Sequence, residues 1–385
     1  MNLPAPPEEA LQHSHLLLER IRDLISEDGW ISFARFMQTA LYEPGLGYYS
    51  GGSHKFGPGG DFITAPELTP LFGQALSRQL CQIMAASAPR VLECGAGTGL
   101  LAADILAELE RLGTLPEEYL ILELSGELRA RQFDTLAQKL PHLASRVRWI
   151  DTLPPAFQGV VLANELLDVL PVHLLAWRAE GIFERGVTVG ADSGLCWADR
   201  PAQGKVLAQA EALGIELPQS GEYVSELNLA ARAWIASLAD SLEKGGVLLI
   251  DYGYPRAEYY LPSRSSGTLL CYYRHHAHGE PLLWPGLNDI TAFVDFTAIA
   301  EAGFEAGLEV LGYTSQAHFL FNCGLLEVLD RRGARESSDY IRAARAAQRL
   351  TTPQEMGELF KVLALGRHIP HSLLGFARGD RMHAL

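Results

Sequence analysis

The chain has 385 residues, of which 48% are hydrophobic and 20% are charged, so we expect a packed globular protein rather than a disordered one. The formal net charge of −15 argues against a nucleic-acid partner, because an acidic surface repels phosphate backbones. The five cysteines lack a C-x-x-C spacing, which argues against a disulfide framework or a zinc site and favours a reducing compartment.

The N-terminal segment bears on the cellular compartment. It contains neither the basic region nor the apolar region of a signal peptide. No uninterrupted apolar stretch of the chain is long enough to span a bilayer. We therefore expect a cytoplasmic protein without membrane insertion.

The first part of the chain is predicted to form helices around one unusual loop. Apolar residues recur at helical spacing over 8–26 and 31–41, and a further helix is predicted over 68–86. Residues 42–67 are rich in glycine, proline and aromatic side chains. A loop of this length in a compact domain is usually functional or disordered, and its aromatic residues argue against disorder. We interpret it as an ordered lid or wall over a site; the alternative is a loop packed for structural reasons alone.

Alternation of strands and helices begins at residue 90 and predicts a parallel sheet with helices on its faces. The predicted strands are 90–93, 119–124, 147–150, 159–163 and 246–252, and the first helices between them are 100–112 and 128–140. Residues 172–189 alternate around a Glu-Gly turn, which predicts an inserted antiparallel hairpin. The later elements are helices near 203–213, 226–242 and 290–302, a strand at 304–311 and a mostly helical stretch from 316 to about 365.

These elements divide the chain into three parts. Residues 1–68 hold the N-terminal helices and the lid loop. Residues 69–315 form a Rossmann-like α/β core with insertions at about 172–225 and 253–290. Residues 316–385 form a C-terminal helical segment that packs on the core.

A glycine-rich motif follows the first predicted strand and precedes a helix. Its glycines permit a tight turn and let the backbone approach a ligand closely. The dinucleotide-binding pattern G-x-G-x-x-G does not fit, because the required last glycine is replaced by Leu100 or Ala102. E-x-G-x-G-x-G is instead typical of class I methyltransferases, whose cofactor, S-adenosyl-L-methionine, has no phosphate. We assign to the cofactor site Glu93, Gly95, Ala96, Gly97 and Gly99.

A second acid lies at the end of the second predicted strand. A carboxylate at Glu123 can accept hydrogen bonds from both ribose hydroxyls, as the acid of strand two does in Rossmann-like folds. We place Glu123 and its neighbour Leu124 in the cofactor site. The alternative for Glu123 is a surface residue at a strand end.

Polar residues follow the fourth predicted strand, at 164, 165 and 168. Ligands of open parallel sheets bind beyond the carboxyl ends of the strands, and one helical turn would place these side chains on one side. A guanidinium stays protonated at neutral pH because its pKa is very high, and it is then a poor nucleophile that must be oriented before it can attack a methyl group. Glu165 and Asp168 can hold it through paired hydrogen bonds, with Asn164 beside them as the third candidate catalytic residue. The alternative is a helix N-cap with acidic residues in its first turn.

The remaining motifs do not predict other chemistry. The histidines at 275, 276 and 278 lack a partner cysteine or an H-x-x-x-H spacing, so we expect polar loop residues and no metal. The chain contains neither a phosphate-binding G-x-x-x-x-G-K-[ST] loop nor a G-x-S-x-G nucleophile elbow.

Taken together, these stretches resemble the MidA-type methyltransferases, relatives of the mitochondrial complex I assembly methyltransferase. The resemblance covers nearly the whole chain and rests on residues 42–49, 56–67, 93–99, 164–171, 251–253, 267–278, 289–298 and 359–366. It implies a class I core, a mostly parallel seven-stranded sheet, with an added helical lobe. It also implies methylation of protein arginine, with a respiratory complex subunit as a possible partner. In that light Asp61, Phe62 and Thr64 resemble a lid beside the cofactor, and the loop 164–168 resembles a substrate-guanidinium loop.

Two other functions stay open. The aromatic-rich segments 42–67 and 252–273 are compatible with an enclosed pocket, and hence with methylation of a small molecule. A cofactor-binding assembly factor without catalysis is the third hypothesis. The sequence does not indicate an oligomeric state.

Overall fold

The structure, a computed structural model, describes residues 3–51 and 64–385. The α-helices, in chain order, are α1 (Glu8–Asp28), α2 (Phe33–Tyr42), α3 (Ala65–Leu68), α4 (Leu71–Ala86), α5 (Leu100–Leu112), α6 (Gly126–Lys139), α7 (Gly204–Ala212), α8 (Leu229–Ser241), α9 (Arg256–Tyr259), α10 (Phe296–Glu305), α11 (Gln316–Asn322), α12 (Leu325–Asp330) and α13 (Ser338–Thr351). None of the helices in these ranges is both long and apolar enough to cross a membrane.

The strands form three sheets. In chain order they are β1 (Ile31–Ser32), β2 (Arg90–Cys94), β3 (Glu118–Leu122), β4 (Val147–Ile150), β5 (Phe157–Asn164), β6 (His173–Arg178), β7 (Gly181–Val189), β8 (Leu195–Pro201), β9 (Tyr223–Leu227), β10 (Leu242–Tyr254), β11 (Leu270–Tyr273), β12 (His276–His278), β13 (Asp289–Thr291), β14 (Val294–Asp295), β15 (Glu309–Ser315) and β16 (Phe360–Arg367).

The chain divides into two compact units, each built from separate segments. The core unit consists of Ile63–Leu166, Trp234–Arg256 and Val294–Leu385. The insertion unit consists of Met1–Phe62, Leu167–Ala233 and Ala257–Phe293. The insertions predicted near 172–225 and 253–290 fall largely within the second and third segments of the insertion unit, and the N-terminal segment belongs to the same unit.

The core unit contains the main sheet, with the order β15-β16-β10-β5-β2-β3-β4 and with β14 paired to β10. Strands β10, β5, β2, β3 and β4 pair in parallel, and β16 runs antiparallel to both β10 and β15. Parallel neighbours need crossover connections, which α5 and α6 supply on either side of β3. Strands of this kind are buried on both faces and therefore carry continuous apolar runs, such as residues 247–250 of β10. The predicted Rossmann-like α/β core is confirmed.

The prediction of a mostly helical C-terminal part is wrong for its last segment. Phe360–Arg367 is a strand, β16, which pairs with β10 over eight residue pairs, from Gly245 opposite Arg367 to Tyr252 opposite Phe360. All of its residues except Arg367 are buried. A short apolar run is compatible with a buried strand or a buried helix, so periodicity alone does not distinguish the two.

Smaller corrections concern where helices begin. Residues 31–32 form β1 and precede α2, whose N-cap Ser32 accepts a hydrogen bond from the Arg35 backbone N–H at 3.2 Å. Part of the helix predicted at 226–242 is the strand β9, and the helix predicted at 290–302 begins only at Phe296. The strand predicted at 304–311 is displaced to β15, Glu309–Ser315.

The insertion unit contains an antiparallel sheet ordered β1-β7-β6-β9, with β8 on the other edge of β7. The predicted hairpin is present as β6 and β7, which meet at Arg178 opposite Gly181. Helices α1 and α2 cover β7, and their buried side chains, among them Leu17 and Phe36, join Val187 in one apolar cluster. A second, three-stranded sheet has the order β12-β11-β13.

Two glycines approach each other closely near the start of the parallel pairing of β5 with β10. Gly159 and Gly245 are register partners with φ of +141° and +145°. A Cβ atom at Gly245 would lie 1.9 Å from the Gly159 carbonyl oxygen. We therefore predict that Gly245→Ala lowers the free energy of unfolding by at least about 3 kcal/mol, through backbone strain and overpacking. Urea unfolding followed by far-ultraviolet circular dichroism measures the change.

The matched control is Gly279→Ala, because a Cβ atom there would meet nothing within 4 Å. We expect this variant to stay within about 0.5 kcal/mol of the wild type. Equal unfolding midpoints for the Gly245 and Gly279 variants would contradict the packing argument.

Candidate functional site

The glycine loop connects β2 to α5 in the core unit. Gly95, Gly97 and Gly99 have φ of +71°, +52° and +81°, in the left-handed region that favours glycine. The Gly95 N–H donates to the Leu122 carbonyl at 3.1 Å, and the Gly99 N–H donates to the carbonyl of the buried Ala96 at 2.8 Å. The loop therefore has the tight turn that its sequence pattern predicts.

The three glycines have different surroundings. A Cβ atom at Gly99 would lie 3.0 Å from the Gln132 Cα atom on α6, and one at Gly95 would lie 3.1 Å from the Leu166 Cδ1 atom. A Cβ atom at Gly97 would meet no atom of the described residues within 4 Å. Gly99 thus permits close helix packing, whereas Gly97 leaves an open face of the loop to a ligand.

Glu93 lies under the loop and is 2% exposed. Its Oε2 atom accepts a hydrogen bond from the Tyr119 hydroxyl at 2.6 Å. Burial raises the pKa of Glu93 to about 7, and the hydrogen bond from Tyr119 lowers it only in part. The assignment of Glu93 to the cofactor site stays a prediction.

Glu123 follows β3 and is joined to the glycine loop by one side chain. Gln132 Nε2 donates to the Glu123 Oε2 atom at 3.0 Å and to the Gly97 carbonyl at 3.1 Å. The backbone N–H of Ser125 donates to Glu123 Oε1 at 3.0 Å. Burial raises the pKa of Glu123, and the hydrogen bonds from Ser125 and Gln132 act in the opposite direction. The acid expected to hold the ribose therefore lies beside the loop expected to hold the nucleoside.

Gln132 is a site residue that the sequence analysis missed. It occupies α6 between Leu128 and Leu136, at the i, i+4 spacing of the buried face of that helix. A polar residue on an otherwise apolar stripe was the available signal. Its partner Trp149, on β4, donates to Gln132 Oε1 at 2.8 Å, and no local pattern connects the two residues.

The other predicted cofactor residues have mixed outcomes. Leu124 is 79% exposed, an apolar side chain in solvent next to Glu123. Thr64 is the N-cap residue of α3, and its carbonyl accepts from the backbone of Glu67. The Thr98 hydroxyl of the glycine loop donates to Glu67 Oε1 at 2.7 Å, so α3 is tied to the loop. Asp61 and Phe62 lie outside the described residues.

Asn164 and Glu165 stand at the carboxyl end of β5, in the core unit. The Asn164 Nδ2 atom donates to Glu165 Oε1 at 3.0 Å, and the Glu165 N–H donates to the Ile250 carbonyl at 2.8 Å. Glu165 has φ of +50°, which costs a non-glycine residue on the order of 1–3 kcal/mol and is often found at functional sites. Asn164 Oδ1 is buried and has no hydrogen-bond partner within the part of the chain that the structure describes.

The helical turn proposed for residues 164–168 is wrong, because β5 is followed by bends and turns. The alternative of a helix N-cap fails for the same reason. Asp168 belongs to the insertion unit, is 4% exposed and accepts a hydrogen bond at its backbone carbonyl from Ala292 at 2.9 Å. In that unit burial raises the pKa of Tyr49, and the charges of Asp289 and Asp168 add to the effect. Pairing of Asp168 with Glu165 stays a prediction.

The described residues contain no group of three or more His, Cys, Asp or Glu side chains arranged to hold a metal ion. The polar atoms at the carboxyl edge of the main sheet are carboxylates and amides that accept or donate hydrogen bonds. These groups suit a nucleoside and an N–H-bearing substrate.

Comparison with known proteins shows the family of this chain. Residues 75–314 match a protein family described as “Putative S-adenosyl-L-methionine-dependent methyltransferase”. The chain is 30% identical over 395 residues to the mouse protein arginine methyltransferase NDUFAF7, mitochondrial, covering 93% of this chain and 85% of that protein. The rat protein of the same name is 29% identical, with 95% and 87% coverage.

A solved structure is similar over the whole length. The crystal structure of a Burkholderia thailandensis protein bound to S-adenosyl-homocysteine is 49% identical, covers 100% of both chains and superposes with a TM-score of 0.95. The fold and the glycine loop define a Rossmann-like methyltransferase. The chain belongs to the family of S-adenosyl-L-methionine-dependent methyltransferases that its residues 75–314 match.

The buried carboxyl of Glu93 should make stability depend on pH. Between pH 4.5, the ordinary pKa of a glutamate, and about pH 7, the folded protein keeps a proton that the unfolded chain has lost. The free energy of unfolding therefore falls as the pH rises through this window, by on the order of 3 kcal/mol. Glu93→Gln, which cannot ionise, should lack this component. Urea unfolding of both proteins at pH 5, 6, 7 and 8 measures the difference, and parallel curves would contradict the assignment.

Gly97 should be required for the cofactor rather than for the fold. Gly97→Ala places a methyl group on the open face of the loop, so we expect S-adenosyl-homocysteine to bind at least about tenfold more weakly by calorimetry. Gly113→Ala is the matched control, since Gly113 also has positive φ, +71°, and open space around a Cβ atom. Both variants carry similar strain, about 1–2 kcal/mol. Equal affinities in the two variants would show that the Gly97 face is not the binding face.

Proposed function

We propose that this methyltransferase transfers a methyl group to the guanidinium of an arginine in a protein substrate. The observation that carries the proposal is the arrangement of Asn164 and Glu165. The buried side-chain carbonyl of Asn164 lies beside the carboxylate of Glu165, whose backbone is left-handed. The names of the mouse and rat relatives, protein arginine methyltransferase, support the same substrate class.

The acceptors are close to the glycine loop through the main sheet. Ala163, the residue before Asn164, is the register partner of Cys94, the residue before Gly95. Leu166 lies against Gly95, as the 3.1 Å approach of a Cβ atom there shows. A substrate nitrogen bound at the end of β5 is therefore near the loop that we expect to hold the cofactor.

A guanidinium matches these groups chemically. It carries five N–H donors in one plane and no acceptor, so it needs a set of oxygen acceptors and meets no repelling donor at Asn164 Oδ1. Paired hydrogen bonds to a carboxylate and a carbonyl can orient one nitrogen toward the methyl group. A hydroxyl substrate would offer one donor and would leave more of these acceptors unmatched.

The protein residues then orient the substrate and take up a proton. The bound cofactor supplies an electrophilic methyl group on its sulfonium. Glu165 balances the positive charge of the guanidinium and accepts the proton that the nitrogen loses when it is methylated. Asn164 fixes the Glu165 carboxylate through its amide N–H at 3.0 Å. The N–H bond of Glu165 to the Ile250 carbonyl holds its backbone in place at the end of β5.

Finer points of this proposal have no support beyond the sequence analysis. Asp168 is the candidate for a second carboxylate. A respiratory complex subunit is the candidate substrate. The relatives are named mitochondrial, so their names do not support the expected cytoplasmic location. Each point is open to its own experiment, and none is needed for the test of Glu165.

Glu165→Gln keeps the size of the side chain and removes its charge. We expect kcat/KM for tritiated methyl transfer from S-adenosyl-L-methionine to an arginine peptide to fall about 100-fold or more, the usual loss of a proton-transfer group. The Kd of S-adenosyl-homocysteine should stay unchanged, because Glu165 does not belong to the glycine loop. The exposed Glu180→Gln is the control and should keep full activity.

The same assay separates the alternatives. A peptide with lysine in place of arginine should not be labelled, because an ammonium cannot present two coplanar N–H donors. Label in the small-molecule fraction of a lysate, with none on protein, would favour a small-molecule substrate and overturn the proposal. Arginine methylation that is insensitive to Glu165→Gln would remove the role of that residue.

A further inference from the structure

Gln132 is wholly buried, with 0% of its surface exposed, and every polar atom of its side chain is used. Nε2 donates one N–H to the Gly97 carbonyl and the other to Glu123 Oε2. Oε1 accepts the indole N–H of Trp149 at 2.8 Å. An indole nitrogen only donates, so this contact fixes which end of the amide faces Trp149. The opposite orientation would direct Oε1 at a carboxylate and at a carbonyl, two acceptors.

The packing of α6 on the loop fixes the position of the same residue. A Cβ atom at Gly99 would lie 3.0 Å from the Gln132 Cα atom and 3.3 Å from its Cβ atom. The backbone of Gln132 thus lies directly against the loop, and its side chain is held at the other end by β4. Movement of either contact would move the amide relative to Glu123.

We infer that Gln132 is a positioning residue for the cofactor, because its amide sets the Glu123 carboxylate relative to the Gly97 carbonyl so that both ribose hydroxyls can bind. The inference rests on the proposed function only in that the ligand is an adenosyl cofactor. A carboxylate offers about four lone-pair directions. Ser125 occupies one on Oε1, Gln132 occupies one on Oε2, and the backbone of Leu124 also donates to this carboxylate. The acceptor capacity that is left is directed by these donors and suits the hydroxyls of a ribose.

A purely structural role makes a different prediction. If Gln132 only stabilises α6 against the loop, its removal weakens all ligands of the site equally. If it aligns Glu123, its removal mainly affects the recognition of the ribose. The two roles are separated by comparing S-adenosyl-homocysteine with its 2′-deoxy analogue, which lacks one of the hydroxyls.

The experiment measures the Kd of both ligands by calorimetry for the wild type and Gln132→Met. Methionine has nearly the same length and no hydrogen bonds. We expect the wild type to prefer the ribose ligand by about tenfold to 100-fold, the usual value of a hydrogen bond to a charged group. In Gln132→Met this preference should fall to about threefold or less. Gln138→Met is the matched control, since Gln138 is an exposed residue of the same helix.

The outcomes distinguish this inference from the proposed function. If the wild type binds neither S-adenosyl-L-methionine nor S-adenosyl-homocysteine, the proposed function fails. If the wild type binds both, two results would overturn only the role of Gln132. One is a ribose preference that Gln132→Met retains in full, and the other is a wild type without any ribose preference. If Gln132→Met does not fold, Trp149→Phe decides instead, because it removes the donor that orients the amide. A preference lowered at least about threefold supports the inference, and an unchanged preference overturns it.

Discussion

Parallel pairing of β2 with β3 on one side and with β5 on the other is the interaction on which the site depends. It places Cys94 level with Leu122 and with Ala163, at the carboxyl ends of three neighbouring strands. The chain segments that leave these strands therefore meet at one edge of the sheet. The glycine loop, Glu123 and Asn164 come from distant parts of the sequence, and only this pairing makes them neighbours. The chemistry of the edge follows from its register.

The need of buried polar groups for hydrogen-bond partners determines how the side chains at that edge are arranged. An unmatched buried donor or acceptor costs about 1–3 kcal/mol, so most buried polar side chains have hydrogen-bond partners. Glu93 is matched by Tyr119, and Glu123 is matched by Ser125 and Gln132. These bonds also fix the carboxylates in place before any ligand binds. The entropic cost of ordering these side chains on binding is therefore smaller.

The parts of this molecule that depend on local patterns could be predicted from the sequence. Left-handed turns favour glycine, so the loop after β2 could be predicted from its glycine spacing, and Glu123 could be predicted as an acid at a strand end. β16 was missed because its short apolar run, residues 362–366, fits a buried helix as well as a strand. The pairing of Gln132 with Trp149 was missed because it joins two elements that no periodicity relates. The sequence analysis divided the insertion unit between the N-terminal part and two insertions of the core, because its three segments are separated along the chain.

The exceptions to local rules concentrate at the same edge of the sheet. Gln132 stands on an apolar stripe, Glu165 has a left-handed backbone and Glu93 is a buried acid, and each costs free energy that a structural role alone would avoid. Hydrogen bonds within the protein compensate the cost at Gln132 and at Glu93. Asn164 Oδ1 is not compensated within the described residues, although its own amide N–H holds Glu165. This acceptor suits the N–H donors that the proposed arginine substrate would bring.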